Sequence, residues 1–134
     1  DVKKETPLMV AVQRGRDLCV KELLKADALP SGGEGVTEEE NRPLAVAVEY
    51  GRDAIVELLL KHQVDVNADD AFALQSALWY ADHPEDASGH QSKEVYQRIL
   101  GMLQRANSVA KPVNIGKFVS RLKQRKQARA TAGA

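Results

Sequence analysis

The 134-residue sequence predicts an all-α solenoid of about three helix-turn-helix repeats closed by a C-terminal capping helix. Three observations predict it. A block of sequence returns at an offset of 36, and the apolar residues inside each block recur at helical spacing. Aromatic residues make up only 4% of the chain, so the core must be built from Leu, Val, Ile and Ala, which favours close packing of helices.

The repeat sets the elements in order. Pro7-Leu8-Met9-Val10-Ala11-Val12 returns as Pro43-Leu44-Ala45-Val46-Ala47-Val48. Gly15-Arg16-Asp17 returns as Gly51-Arg52-Asp53, Val20 as Val56, and Leu23-Leu24-Lys25 as Leu59-Leu60-Lys61, without a gap. Leu8, Ala11 and Val12, like Leu44, Ala47 and Val48, sit at i, i+3 and i+4, the stripe of a short first helix. Pro7 and Pro43 suit its first position, where the missing N–H is not needed. Gly15 and Gly51 mark the turn. A second helix follows with stripes Cys19, Val20, Leu23, Leu24 and Ile55, Val56, Leu59, Leu60, and Asp17 and Asp53 oppose its N-terminal dipole.

A third unit is degraded. Leu74, Ala77, Leu78 and Ala81 keep helical spacing, the polar stretch 83–91 reads as an inserted loop, and Val95, Ile99, Met102 and Leu103 stripe a longer second helix. Beyond Pro112, Phe118, Val119 and Leu122 predict a short covering helix. The expected organisation is a stack over 1–110, with repeats at about 1–36, 37–69 and 70–107. A capping helix at 111–123 and a basic, disordered tail at 124–134 follow. The chain opens on Asp1 rather than Met, as expected of a piece of a longer protein, and the outer side of its first unit has no preceding repeat to cover it.

These residues resemble the ankyrin repeat. Its pattern is a Thr-Pro-Leu-His-x-Ala helix start, a Gly between the helices, an Ile-Val-x-Leu-Leu second helix and a following Asp-Val-Asn-Ala. Thr6-Pro7-Leu8-Met9-Val10-Ala11 is similar to the first part; Gly51, Ile55-Val56-Glu57-Leu58-Leu59 and Asp65-Val66-Asn67-Ala68 are similar to the rest. Met9, Ala45 and Trp79 stand where the family favours His, and Asp27 and Gln63 where it favours a left-handed Gly. The third unit fits at an offset of 30, aligning Leu74 with Leu44, or of 34, aligning Leu78 with Leu44; the helix-start likeness of Ser76–Ala81 favours 34.

Charge is polarised along the chain. Residues 1–94 hold ten basic and nineteen acidic residues, a net of −9, and residues 95–134 hold nine basic and none acidic, a net of +9. The basic end, Lys117, Arg121, Lys123, Arg125, Lys126 and Arg129, is either a solvated tail or a contact for nucleic acid, anionic membrane, an import receptor or an acidic protein surface, the chain's own included. No apolar run is long enough to span a bilayer. The single Cys19 cannot form an internal disulfide, which suits an intracellular compartment, cytoplasmic or nuclear.

Catalytic chemistry finds no motif. His83 and His90 flank Glu85 and Asp86, but a solvated loop explains that cluster, so no metal is expected. Cys19 takes the place of Ile55 and reads as a buried core thiol. Ser31-Gly32-Gly33-Glu34-Gly35 lacks the Lys-Ser or Lys-Thr that a phosphate loop needs. The expectation is no enzyme, no cofactor and no small-molecule substrate.

What remains is surface. The resemblance implies a protein partner bound by a concave groove of hairpin tips and first-helix ends, in a scaffold or adaptor region of a larger protein. That maps onto Lys4, Glu5, Gln13 and Arg14 in the first unit, Glu49 and Tyr50 in the second, and Trp79 and Tyr80 in the third. Trp79 and Tyr80 either anchor a partner there or pack beneath the inserted loop.

Overall fold

A computed structural model describes residues 7–26, 42–62, 64, 66, 68–107 and 115–132. Among them run seven α-helices: α1 (Pro7–Gln13), α2 (Asp17–Lys25), α3 (Pro43–Glu49), α4 (Asp53–Lys61), α5 (Ala68–Asp82), α6 (Lys93–Ala106) and α7 (Gly116–Ala132). Both prolines open their helices as expected. The offset of 36 carries α1 onto α3 and α2 onto α4 residue for residue.

The turn inside each of the first two units is made by the same pair of backbone bonds. Gly15 N–H donates to Val12 O (3.1 Å) and Arg16 N–H to Ala11 O (2.9 Å); Gly51 N–H donates to Val48 O (3.1 Å) and Arg52 N–H to Ala47 O (2.9 Å). This double closure needs a left-handed residue after the helix, and Gly15 and Gly51 supply it at φ +69° and +65°. The next helix then begins at once.

The pairs stack as a ladder. First helices α1, α3 and α5 pack on one another in that order, as do second helices α2, α4 and α6, and each first helix packs on its own second helix. Val12, Val20, Val48, Ile55, Val56, Leu59, Ala77, Tyr96, Ile99 and Leu103 are fully enclosed between them. No strand occurs among the described residues.

The open end of the ladder corrects one expectation. Cys19 is exposed, not a core thiol, and Leu18 beside it is 77% exposed, while Ile55 at the equivalent position is fully buried. The side of α4 that carries Ile55 is sealed within the stack. On α2 the same side has no such cover among the described residues.

The third unit is longer and irregular. Ala71, early in α5, takes a left-handed φ of 59°. Leu74 and Ala77 are 2% and 0% exposed, matching Leu44 and Ala47 at 4% and 0%, whereas an offset of 34 would set the enclosed Val48 against the exposed Asp82. Burial thus corresponds to an offset of 30, and the family-like run Ser76–Ala81 lies further along the helix. In α6 the buried stripe is Tyr96, Ile99 and Leu103, with Val95 and Met102 at its margin.

Residues 83–91 form a short 3₁₀ turn, Pro84–Asp86, and lie against the body rather than in solvent. The helix after Pro112 is also longer than predicted. It continues to Ala132 where a disordered tail from 124 was expected, and within it Arg125 and Lys126 meet carboxylates of the stack.

Candidate functional site

Helices α1 and α3 end in carbonyl groups that the helix itself leaves without partners, and the next unit supplies donors. Gln13 O accepts from Arg52 Nη2 at 2.7 Å. Glu49, equivalent to Gln13, has its carbonyl oxygen bonded by Gly89 N–H at 3.3 Å and by the Tyr96 hydroxyl at 3.4 Å. Gly89 is required there, since a Cβ would collide with the Tyr50 carbonyl. The 83–91 segment is thus stapled across the end of α3.

The Glu49 side chain is held as firmly as its backbone. Ser88 Oγ donates to one carboxylate oxygen, Arg125 Nη1 donates to the other at 3.2 Å, and only 15% of the side chain is exposed. Burial disfavours the Arg125 charge, but the Glu49 carboxylate and the Tyr80 hydroxyl together outweigh it and hold the guanidinium above its ordinary pKa.

A second cluster lies beside it. Trp79 Nε1 donates to Asp86 Oδ2 at 2.9 Å, Lys126 Nζ pairs with Asp86 Oδ1 at 3.0 Å, and the His83 ring stacks on Trp79 at 3.9 Å between centroids. Burial pushes the Asp86 carboxyl up, yet the Trp79 bond and the Lys126 ammonium more than offset that and hold it below its ordinary pKa.

Beneath both clusters the base of α7 is apolar. Phe118 and Leu122 are 3% and 5% exposed, and the Phe118 ring meets Tyr80 edge-on at 5.3 Å and Phe72 at 5.7 Å. Phe118 N–H donates to Gln75 Oε1 at 2.9 Å, which satisfies a buried amide on α5. Burial, followed by the Glu49 charge, pushes the Tyr80 hydroxyl far above its ordinary pKa, so it stays neutral.

The predicted site residues therefore separate. Arg14 is exposed, and Gln13 and Tyr50 are half-buried at the helix ends. Lys4 and Glu5 lie outside the described residues. Tyr80 is 1% exposed and belongs to the core, because α5 continues one turn beyond its equivalents and α6 and α7 close over it. Glu49 and Trp79 face internal partners. Of the basic residues, Lys123 is exposed, Arg121 is half-buried, and Arg125 and Lys126 are paired; the side chains of Lys117 and Arg129 lie outside the described set.

Sequence reading did not single out Tyr96, although it lies three residues before Ile99 on the stripe of α6; it set Asp86 in a solvated loop, and it allowed the basic end a contact with the chain's own acidic surface without naming Glu49 as its partner. Among the described residues no three His, Cys, Asp or Glu side chains gather to hold a metal, and no helix is long and apolar enough to cross a membrane.

The chain has no match among curated proteins or solved structures. A family model does match: the one described as ankyrin repeats (3 copies) covers residues 1–70, the two regular units and the segment leading into α5. Over that span the repeated Pro-Leu start, the left-handed Gly turn and the ladder of helix pairs agree with it, and the chain belongs to the ankyrin-repeat family.

Proposed function

We propose that this chain is a protein-interaction module, a scaffold or adaptor region of a larger protein that engages a peptide or folded partner along its first-helix ends. Ankyrin repeats are generally interaction modules, and that class requires accessible side chains at those ends. The observation that carries the reading is the contrast along this edge: Gln13, Arg14 and Tyr50 remain at the surface, whereas Glu49, Trp79 and Tyr80 are engaged internally. The proposed contact is therefore weighted toward the first two units. An exposed, unpaired Cys19 suits the reducing cytoplasmic or nuclear setting we propose for it.

The test is affinity capture with the wild-type chain and with an Arg14→Ala/Tyr50→Ala chain of unchanged thermal stability. A partner retained in high salt by the first and lost by the second supports the reading; equal retention removes these helix ends from it. The competing reading, polyanion targeting through the basic segment, has less support, since Arg125 and Lys126 spend their charge on Glu49 and Asp86. Capture of nucleic acid or anionic vesicles that fades steeply with salt would favour it.

A further inference from the structure

In a stack whose units touch only their neighbours, a helix that merely caps the third unit has no reason to reach the second. Helix α7 does reach it. From its apolar base on α5, through Phe118 and Leu122, it runs back far enough for Arg125 to meet Glu49 at the end of α3. Arg125 thus brings it to the end of α3, next to the edge where the proposed function puts the partner. Its side chains there form a simple code: apolar at i and i+4, cationic at i+7 and i+8.

The surface it meets is equally specific. Glu49 and Asp86 present two carboxylates 15% and 14% exposed, one oriented by Ser88 and the other by the Trp79 indole. We infer that the Glu49–Asp86 notch is a receptor for a basic amphipathic helix, that α7 is its resident occupant, and that a partner helix carrying the same apolar-then-dibasic pattern binds by displacing it. This goes beyond the proposed function by naming a second contact, with its partner's chemistry, that does not depend on the Arg14 and Tyr50 surface. The charge balance supports it, because the −9 body and the +9 end meet at this place.

A tethered helix competes at a high effective concentration, so an intact chain resists an added copy of the same helix. The test uses a fluorescein-labelled peptide of residues 115–132 as probe, read by anisotropy against the full chain. The wild type should bind it weakly. An Arg125→Glu/Lys126→Glu chain, whose own α7 is repelled by the notch while both carboxylates remain, should bind the same probe about tenfold or more tightly. A peptide carrying the two Glu exchanges should not bind either chain. Hydrogen exchange covers the case in which the variant is simply loosened: protection of α7 lost in Arg125→Glu should return in Glu49→Lys/Arg125→Glu. Equal probe affinity for wild type and double variant overturns the inference, as does failure of the charge swap to restore protection. No natural partner enters this assay, so its failure leaves the Arg14 and Tyr50 capture result standing, and the reverse also holds.

Discussion

Gln13 and Glu49 close equivalent helices 36 residues apart, and they are satisfied by unlike means. The Gln13 carbonyl takes one donor, Arg52, from the turn of the next unit. At Glu49 that donor's place is taken by a backbone N–H and a tyrosine hydroxyl, and the carboxylate gathers a serine and an arginine besides. A repeat architecture conserves the need for a partner at each helix end, not the residue that meets it. The regular half meets that need with glycine turns, and the C-terminal half with an inserted segment and an added helix.

The comparison breaks most visibly in the C-terminal core. Tyr80→Ala should lower stability by roughly 3 to 5 kcal/mol, the usual cost of emptying a buried aromatic site, because Tyr96 and Phe118 both lean on that ring. A thermal or urea melt close to wild type would place Tyr80 back among surface anchors. Next comes the matched pair at the two ends of the ladder. Ile55→Ala should cost about 2 to 5 kcal/mol, whereas Cys19→Ala, at the equivalent but open position, should stay within about 0.5 kcal/mol. Equal costs would mean that α2 is covered in solution.

The staple is a finer probe. Gly89→Ala forces a Cβ into the Tyr50 carbonyl and should destabilise by roughly 1 to 3 kcal/mol in a denaturant melt, with lost exchange protection concentrated at the end of α3. The smallest effect concerns pH. The Asp86 carboxyl is held below its ordinary value in the folded chain, so it contributes stability above about pH 4, where the unfolded carboxyl is also ionised. That contribution disappears as pH falls through the lowered folded value. Lys126→Gln should raise the Asp86 midpoint in a carboxyl-detected NMR titration and reduce the slope of stability against pH below 4; an unmoved midpoint would show that Lys126 does not set it.

The legible part of the fold was the part built from repetition. Pro7 and Pro43, Gly15 and Gly51, and the Leu-Val stripes have local reasons to recur, so α1 to α4 are visible in the sequence itself. Two kinds of feature were not. Cys19 matches Ile55 by position, but its burial depends on what lies beyond the chain's own first helix pair, which no stripe encodes. The polar run 83–91 has the composition of a solvated loop and becomes a staple only through Gly89 and Ser88 meeting Glu49, forty or so residues away. The basic end has the composition either of a free tail or of a contact for the chain's own acidic surface; that Glu49 and Asp86 receive it is not legible, since neither lies near it in sequence. Among the candidate site residues, the helix-end positions of Gln13, Arg14 and Tyr50 follow from the repeat, while the placement of Trp79 and Tyr80 depends on the 83–91 segment and on the contacts of α6 and α7.

The most direct measurement is residue-resolved amide hydrogen exchange on the full chain, comparing α7 with α5. Docking through Phe118 and Leu122, and clamping by Arg125 and Lys126, predict that amides from Val119 to Lys126 are protected to a degree that tracks the packed part of α5. Exchange of those amides at open-chain rates, with α3 and α4 still protected, would contradict the account by showing that the stack closes without α7.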